Sequence, residues 1–165
     1  MFSHSIFPKK NKPMSWFKKW FDSSYYHLLY KNRDKKEAQI FIDNLIIHLK
    51  IPRGSKLLDI ACGKGRHSIY FNKKGMDVVG IDISTNSIKS AKKEENSSLH
   101  FHKHDMRKVF RNNYFDIVTN LFTSIGYFEK DEDEQNTINA MALNLKQEGI
   151  LIIDFMNVKK VIKKL

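Results

Sequence analysis

The sequence predicts an α/β fold in which helices cover both faces of a doubly wound parallel sheet. Two observations support this prediction. Runs typical of strands alternate with runs typical of helices, and 165 residues with 41% hydrophobic content suffice for one domain with a buried core. The strand-like runs are 56–60, 77–81, 99–104, 115–120 and 150–155, and the helix-like runs are about 35–50, 66–74, 85–95 and 131–147.

Signals at the ends of these runs support their boundaries. Apolar residues recur at helical spacing from Ala38 to Leu49, and Pro52 follows that helix. Ser84 is a typical N-cap residue for the helix that begins at 85. The acidic residues at 131–134 favour a helix start because they complement the positive end of the helix dipole.

Composition divides the chain into three segments. Residues 1–13 are polar, contain Pro8 and Pro13, and are expected to form a flexible tail. Residues 14–34 are rich in aromatic side chains, which favours either an amphipathic helix that covers the core or a lid over a ligand. Residues 35–165 contain the alternating runs and are expected to form the ligand-binding domain.

Charge and cysteine content narrow the function classes. The net charge is +11, with 24 lysines but only 5 arginines spread along the chain. Because base readout favours Arg, this pattern indicates solubility, and we expect no nucleic-acid partner. No run approaches the ~20 apolar residues of a membrane span, so no membrane partner is expected. Cys62 is the only cysteine, which excludes an internal disulfide and favours a cytoplasmic location.

A strand that runs into a glycine loop carries most of the chemical information. Residues 57–68 read LLDIACGKGRHS, in which an apolar strand is followed by Gly-x-Gly and a helix. Glycines let the backbone turn sharply and approach a ligand, and the helix N-terminus offers N–H groups. Asp82 lies 19 residues after Gly63, at the end of the next strand, where a carboxylate can accept hydrogen bonds from both ribose hydroxyls.

Two classes of nucleoside cofactor fit such a loop. A dinucleotide motif would have a third glycine where Ser68 stands. Asp59, at the end of the first strand, would repel a pyrophosphate but attract the ammonium of a methionine moiety. These residues favour S-adenosylmethionine, and a dehydrogenase-like dinucleotide binder is the weaker alternative.

The segment LLDIACGKGRHS resembles motif I of the class I S-adenosylmethionine-dependent methyltransferases, in the small-molecule branch with the pattern LD-x-x-CG-x-GRH. The resemblance continues through VVGIDIS, HKHDMR, FDIVTNLFTSIGYF and LKQEGILIIDF, and covers roughly residues 15–160. It implies a Rossmann-like sheet with strand order 3-2-1-4-5, S-adenosyl-L-methionine as cofactor, and methyl transfer to a small-molecule acceptor. The Asn/Asp-Pro-Pro-Tyr signature of nucleic-acid amino-methyltransferases is absent from the end of the fourth strand.

The resemblance also implies roles for individual residues. Asp59, Gly63 and Gly65 would hold the methionyl end of the cofactor, and Ala61 and Cys62 of the same loop would also belong to the cofactor site. Asp82 would bind the ribose, Ile83 would flank the adenine, Asp105 would accept from the adenine amino group, and Met106 would donate its backbone N–H. The methyl group would lie above Asn120 and Leu121, and the lid would contribute Tyr25, Tyr30 and Arg33, the last of which could reach the cofactor carboxylate.

Few other side chains are needed for this chemistry. Transfer from a sulfonium depends on alignment and exclusion of water, so no catalytic residue is assigned. A general base is required only if the acceptor must lose a proton, for which the candidates are His27, Tyr127 and Glu129. Alternating histidines at 100, 102 and 104 would seldom converge on one ion, so no metal is expected. Cys62 is expected to pack rather than to act as a nucleophile.

Two departures from the family pattern concern the end of the chain. Residues 147–149 read Gln-Glu-Gly where the family has a Pro-Gly-Gly turn. The family adds two strands after the fifth, whereas this sequence stops at Leu165, so we expect an incomplete sheet. The fifth strand, apolar on both faces, would then be an open edge through which a homo-oligomer could form. The second functional alternative is therefore a cofactor-binding but catalytically inactive remnant.

Overall fold

The computed structural model describes residues 35–155 and residue 157 of the chain. Its strands are β1 (Lys56–Ile60), β2 (Asp77–Asp82), β3 (Leu99–Lys103), β4 (Phe115–Asn120) and β5 (Leu145–Ile153). Its helices are α1 (Lys35–Leu49), α2 (Arg66–Lys73), α3 (Thr85–Ala91) and α4 (Asp131–Asn144), and a 3-10 helix (Lys92–Glu94) follows α3. Within this part of the chain the strands form one parallel sheet in the order β3-β2-β1-β4-β5, which confirms the predicted fold class and strand order.

The central strand β1 sets the position of the site. Every residue of β1 after Lys56 is buried, as expected for a strand covered on both faces. Its register puts Asp59 beside Gly80 of β2 on one side and beside Thr119 of β4 on the other. The strand order reverses between β1 and β4, and in such sheets ligands bind outside the carboxyl ends of the strands at this point.

The core has one layer on each face of the sheet. Leu57 packs on one face with Phe71 of α2 and Phe101 of β3. The neighbouring Leu58 points to the opposite face, where it packs with Met141 of α4. This alternation along β1 is the two-residue period that a sheet covered on both faces requires.

The last helix and strand differ from the sequence prediction. We expected the helix to reach residue 147, but α4 ends at Asn144, whose side chain accepts hydrogen bonds from the backbone N–H groups of Phe110 and Arg111 at 3.0 and 2.7 Å. The chain then enters β5 at Leu145, five residues before the predicted start. The segment interpreted as a turn thus lies inside β5, and Glu148 there has a positive φ of 64° beside an irregularity in the β4 register.

Several predicted features lie outside the described residues. The tail at 1–13 and the aromatic segment at 14–34 belong to this group, together with most of the chain after Phe155. Among the described residues, no helix is long and apolar enough to cross a membrane.

Candidate functional site

The glycine loop after β1 uses the left-handed backbone region repeatedly. Ala61, Gly63 and Gly65 have φ values of 60°, 57° and 81°. The loop is held by a hydrogen bond from the Cys62 N–H to the Ile81 carbonyl at 3.0 Å and by one from the Gly65 N–H to the Cys62 carbonyl at 3.0 Å. Helix α2 then begins directly after Gly65.

The two glycines of this loop serve different purposes. A Cβ added at Gly63 would meet nothing within 4 Å, so this position faces open space. A Cβ at Gly65 would lie 2.6 Å from the Phe101 ring, so this glycine allows α2 and β3 to pack closely. Both glycines are predicted from the sequence to contact the cofactor, but of the two only Gly63 lines the cleft described below.

Asp82 joins the end of β2 to this loop. One carboxylate oxygen accepts a hydrogen bond from the Gly63 N–H at 2.9 Å, and the other accepts one from the Ser84 N–H at 2.7 Å. Ser84 in turn caps α3, because its hydroxyl oxygen accepts from the Ser87 N–H at 3.1 Å. Each carboxylate oxygen offers about two acceptor positions, so these backbone contacts are compatible with hydrogen bonds from ligand hydroxyls.

A cleft of about 700 Å³, counting the space at its mouth, lies at the carboxyl ends of β1 and β2. Six residues assigned from the sequence line it together: Ala61, Gly63, Asp82, Ile83, Asp105 and Met106. Tyr127, which was considered only as a general base, lines it as well.

Five assigned residues lie behind the cleft rather than in its wall. Asp59 is buried, Cys62 and Leu121 belong to the apolar core, and Gly65 packs against Phe101. Asn120 is fully buried, and its Nδ2 donates to the Ile60 carbonyl at 3.1 Å. Its Oδ1 has no hydrogen-bond partner among the described residues. A buried acceptor without a donor is costly, so this atom, at the end of β4, is a candidate partner for a ligand donor.

The Asp59 carboxyl is held in a buried polar network. Ser68 of α2 donates to one oxygen at 2.5 Å, and Thr119 of β4 donates to the other at 3.0 Å. Burial raises the pKa of Asp59 to about 6, and the two hydroxyl donors oppose that rise. Ser68, noted in the sequence only as a missing glycine, is therefore a partner of Asp59.

Sequence reasoning missed several lining residues. Ser87, His104, Ser124 and Phe128 also line the cleft. Ser124 and Phe128 lie in the loop between β4 and α4. This part of the sequence has no hydrophobic periodicity from which a position in the cleft could be predicted. Backbone N–H groups of this loop, at Gly126 and Phe128, donate to the Glu134 carboxylate at 3.2 and 3.0 Å.

The sequence also offers candidates for a general base, metal ligands, a nucleophile and parts of a lid. Glu129 is exposed. His102 and His104 each contact the Phe110 ring with centroids 5.3 Å apart. Among the described residues no group of three or more His, Cys, Asp or Glu side chains could hold a metal ion. Burial raises the pKa of the Cys62 thiol well above its ordinary value. Tyr25, His27, Tyr30 and Arg33 lie outside the described residues.

The sheet order, the glycine loop and the carboxylate at the end of β2 define a nucleoside-binding protein of the class I methyltransferase type. Residues 51–165 match the family described as "Methyltransferase domain", and the chain belongs to this family, whose cofactor is S-adenosylmethionine.

Similar proteins include two curated enzymes. The dTDP-3-amino-3,4,6-trideoxy-alpha-D-glucopyranose N,N-dimethyltransferase of Streptomyces venezuelae is 30% identical over 78% of this chain and 54% of its own length. A glycine/sarcosine N-methyltransferase of Aphanothece halophytica is 31% identical over 76% of this chain and 48% of its own. The chain thus spans about half the length of these relatives.

A solved structure shows the same fold. CalS10, an amino pentose methyltransferase from Micromonospora echinaspora with SAM bound, superposes with a TM-score of 0.67. The two chains are 24% identical, and the match covers 83% of this chain and 58% of the other.

The two glycines allow a matched test of packing against strain. Gly65→Ala should lower the free energy of unfolding by about 1–3 kcal/mol more than Gly63→Ala, because both add left-handed strain but only the first overpacks against Phe101. Urea unfolding of both variants measures the difference. Phe101→Leu in the Gly65→Ala background should recover part of the loss, and equal losses at the two glycines would contradict the assignment.

The raised pKa of Asp59 predicts a pH-dependent stability. The native state holds this proton more tightly than the unfolded state, so the contribution is complete below about pH 4 and is lost as the pH rises through about 6. Between pH 4.5 and 7.5 the ligand-free protein should lose about 2 kcal/mol of unfolding free energy relative to Asp59→Asn. Urea unfolding of both proteins at the two pH values measures this loss. Parallel pH profiles would show that the Asp59 pKa is the same in both states.

Proposed function

We propose that this protein transfers a methyl group from S-adenosylmethionine to an amine of a small-molecule acceptor. The observation that carries the proposal is the cleft at the carboxyl ends of β1 and β2, where the open position at Gly63 and the carboxylate of Asp82 lie together. The amine is supported by the names of the two curated relatives, both N-methyltransferases. Their names also support a small acceptor such as an amino sugar or an amino acid.

The described residues fit the cofactor. The cleft presents carboxylates at Asp82 and Asp105 for donors of the ribose and the adenine, and apolar side chains at Ile83 and Met106 for the base plane. The open space at Gly63 lets a ligand approach the backbone closely.

The methionyl end has candidate partners behind the cleft wall. The Oδ1 atom of Asn120 suits a donor such as an ammonium group. Asp59 would favour the same positive charge through its field, because a buried carboxylate acts in a medium of low dielectric constant. Ala61 would contact this end of the cofactor, whereas Cys62, Gly65 and Leu121 would shape the loop from the core. Tyr25, Tyr30 and Arg33 remain predicted lid residues.

The chain contributes alignment and exclusion of water. When bound, the cofactor supplies an electrophilic methyl group on a positively charged sulfonium. Tyr127 and Phe128 line the cleft from the loop after β4 and would shield the reacting groups from water. The Tyr127 hydroxyl is the candidate acceptor for a hydrogen bond from the substrate amine. A cytoplasmic location is supported by the single cysteine, which is buried as a thiol.

Binding of S-adenosylhomocysteine tests the proposal directly. Calorimetry should detect it in the unmodified chain and detect no binding of nicotinamide dinucleotides. Asp82→Ala should weaken binding by about 1.5–3 kcal/mol, roughly 10- to 150-fold, because a hydrogen bond to a charged group is lost. Asp77→Ala, at the opposite end of β2, is the matched control and should bind normally. Tight dinucleotide binding with no response to S-adenosylhomocysteine would overturn the assignment.

The open edge of β5 supports a proposal about assembly. Within the described residues β5 pairs only with β4, and Ile153 and Phe155 near its end are 40% and 46% exposed. We expect the protein to self-associate through this edge, because the backbone N–H and C=O groups of an edge strand, beside apolar side chains, attract a second strand. Sedimentation from about 5 to 200 μM should show dimers that Ile153→Lys disrupts. A monomer at every concentration would contradict this expectation.

A further inference from the structure

The side chain of Arg107 connects the two walls of the cleft. Its Nε donates to Asp105 Oδ1 at 3.0 Å, and its Nη2 donates to Oδ2 at 2.6 Å. Its Nη1 donates to the carboxylate of Asp133 in the first turn of α4 at 3.1 Å. The guanidinium also lies over the Phe128 ring, 5.2 Å from the ring centroid. Asp105 and Phe128 line the cleft from the loops after β3 and β4, so Arg107 contacts both of these walls without being a lining residue itself.

These contacts need the shape of an arginine. A planar guanidinium can hold both oxygens of one carboxylate, contact a second carboxylate and stack on a ring at the same time. The side chains of Arg107 and Asp105 are only 27% and 19% exposed, so water weakens their attraction less than on an open surface. The Arg107 backbone N–H also donates to Asp105 Oδ1 at 3.1 Å, and together with the guanidinium it fixes the direction in which Asp105 presents its oxygens to the cleft.

We propose that Arg107 is a positioning residue that determines how strongly the cleft recognises the exocyclic amino group of adenine. This inference rests on the proposed function. Arg107 acts through Asp105, whose oxygens it orients, and through Phe128, which it holds on the opposite wall. The Arg107 Nε–H is shared between the two Asp105 oxygens at 3.0 and 3.2 Å. A hydrogen bond from a base N–H can replace the 3.2 Å contact of Nε. The 2.6 Å contact from Nη2 meanwhile keeps the carboxylate in place.

Arg111 provides a matched control. Its guanidinium also stacks on aromatic rings, 5.5 Å from the Phe110 centroid and 4.9 Å from that of Tyr114. Neither ring lines the cleft. Arg111→Ala therefore removes the same kind of side chain and the same charge, four positions along the chain, without touching the proposed base site.

The test compares two ligands that differ by one amino group. Calorimetry measures the dissociation constants of S-adenosylhomocysteine and of its 6-deamino analogue, in which hydrogen replaces the exocyclic amino group. The unmodified protein should prefer S-adenosylhomocysteine by about tenfold, the worth of one hydrogen bond to a charged group. That ratio should fall to near one in Arg107→Ala and to an intermediate value in Arg107→Lys, and it should be unchanged in Arg111→Ala.

The ratio separates positioning from simple loss of structure. A purely structural role would weaken both ligands by the same factor and leave the ratio intact, which would overturn the inference. A larger ratio in Arg107→Ala would also overturn it, since Arg107 would then compete with the base for Asp105. Arg107→Lys keeps a cation between the two carboxylates and keeps the test decisive if the alanine variant does not fold. If the unmodified protein bound neither ligand, the proposed function itself would fail.

Discussion

The hydrogen bond from the Gly63 N–H to the Asp82 carboxylate is the contact on which the site depends. It joins the loop after β1 to the end of β2. Gly63 has a left-handed backbone conformation, and a Cβ added there would meet no atom within 4 Å. The second oxygen of Asp82 holds the Ser84 N–H, so the same carboxylate also fixes the start of α3. One acidic side chain thereby orders two loops that line the cleft, and an isosteric amide could accept only one of these bonds.

The carboxylate of Asp59, unlike the partly buried Asp82, is fully enclosed and has a different function. Asp59 accepts from Ser68 and Thr119, which come from α2 and β4, so it ties a helix and a neighbouring strand to β1. The cost of burying it is visible in its pKa of about 6. A hydroxyl at position 68 compensates for part of this cost, because it lowers the pKa that burial raises. Ser68 therefore stabilises Asp59 from the position at which a dinucleotide motif would have its third glycine.

The parts of the fold that the sequence predicted are those governed by local pattern. The bounds of β1 and β4 were predicted to the residue, since both strands are apolar runs with clear flanking signals. The start of β5 was not, because Leu145 enters the sheet through an irregular register and Asn144 ends α4 by accepting from residues 110 and 111. Neither contact can be read from neighbouring residues in the sequence. The different surroundings of Gly63 and Gly65 could not be predicted for the same reason, since they depend on the Phe101 ring of a distant strand.

The loop after β4, which also lines the cleft, is held by the same kind of contact. Phe122 and Thr123 follow β4 with φ values of 68° and 53°, a conformation that costs free energy in residues with a side chain. Asp154 holds them there, because its carboxylate accepts from the Phe122 N–H at 3.1 Å and its carbonyl accepts from the Thr123 N–H at 3.0 Å. The Glu134 carboxylate holds the far end of the same loop, because it accepts hydrogen bonds from the backbone N–H groups of Gly126 and Phe128. In a chain with a net charge of +11, carboxylates thus shape both walls of the cleft by accepting from backbone N–H groups, which sets the geometry before any ligand binds.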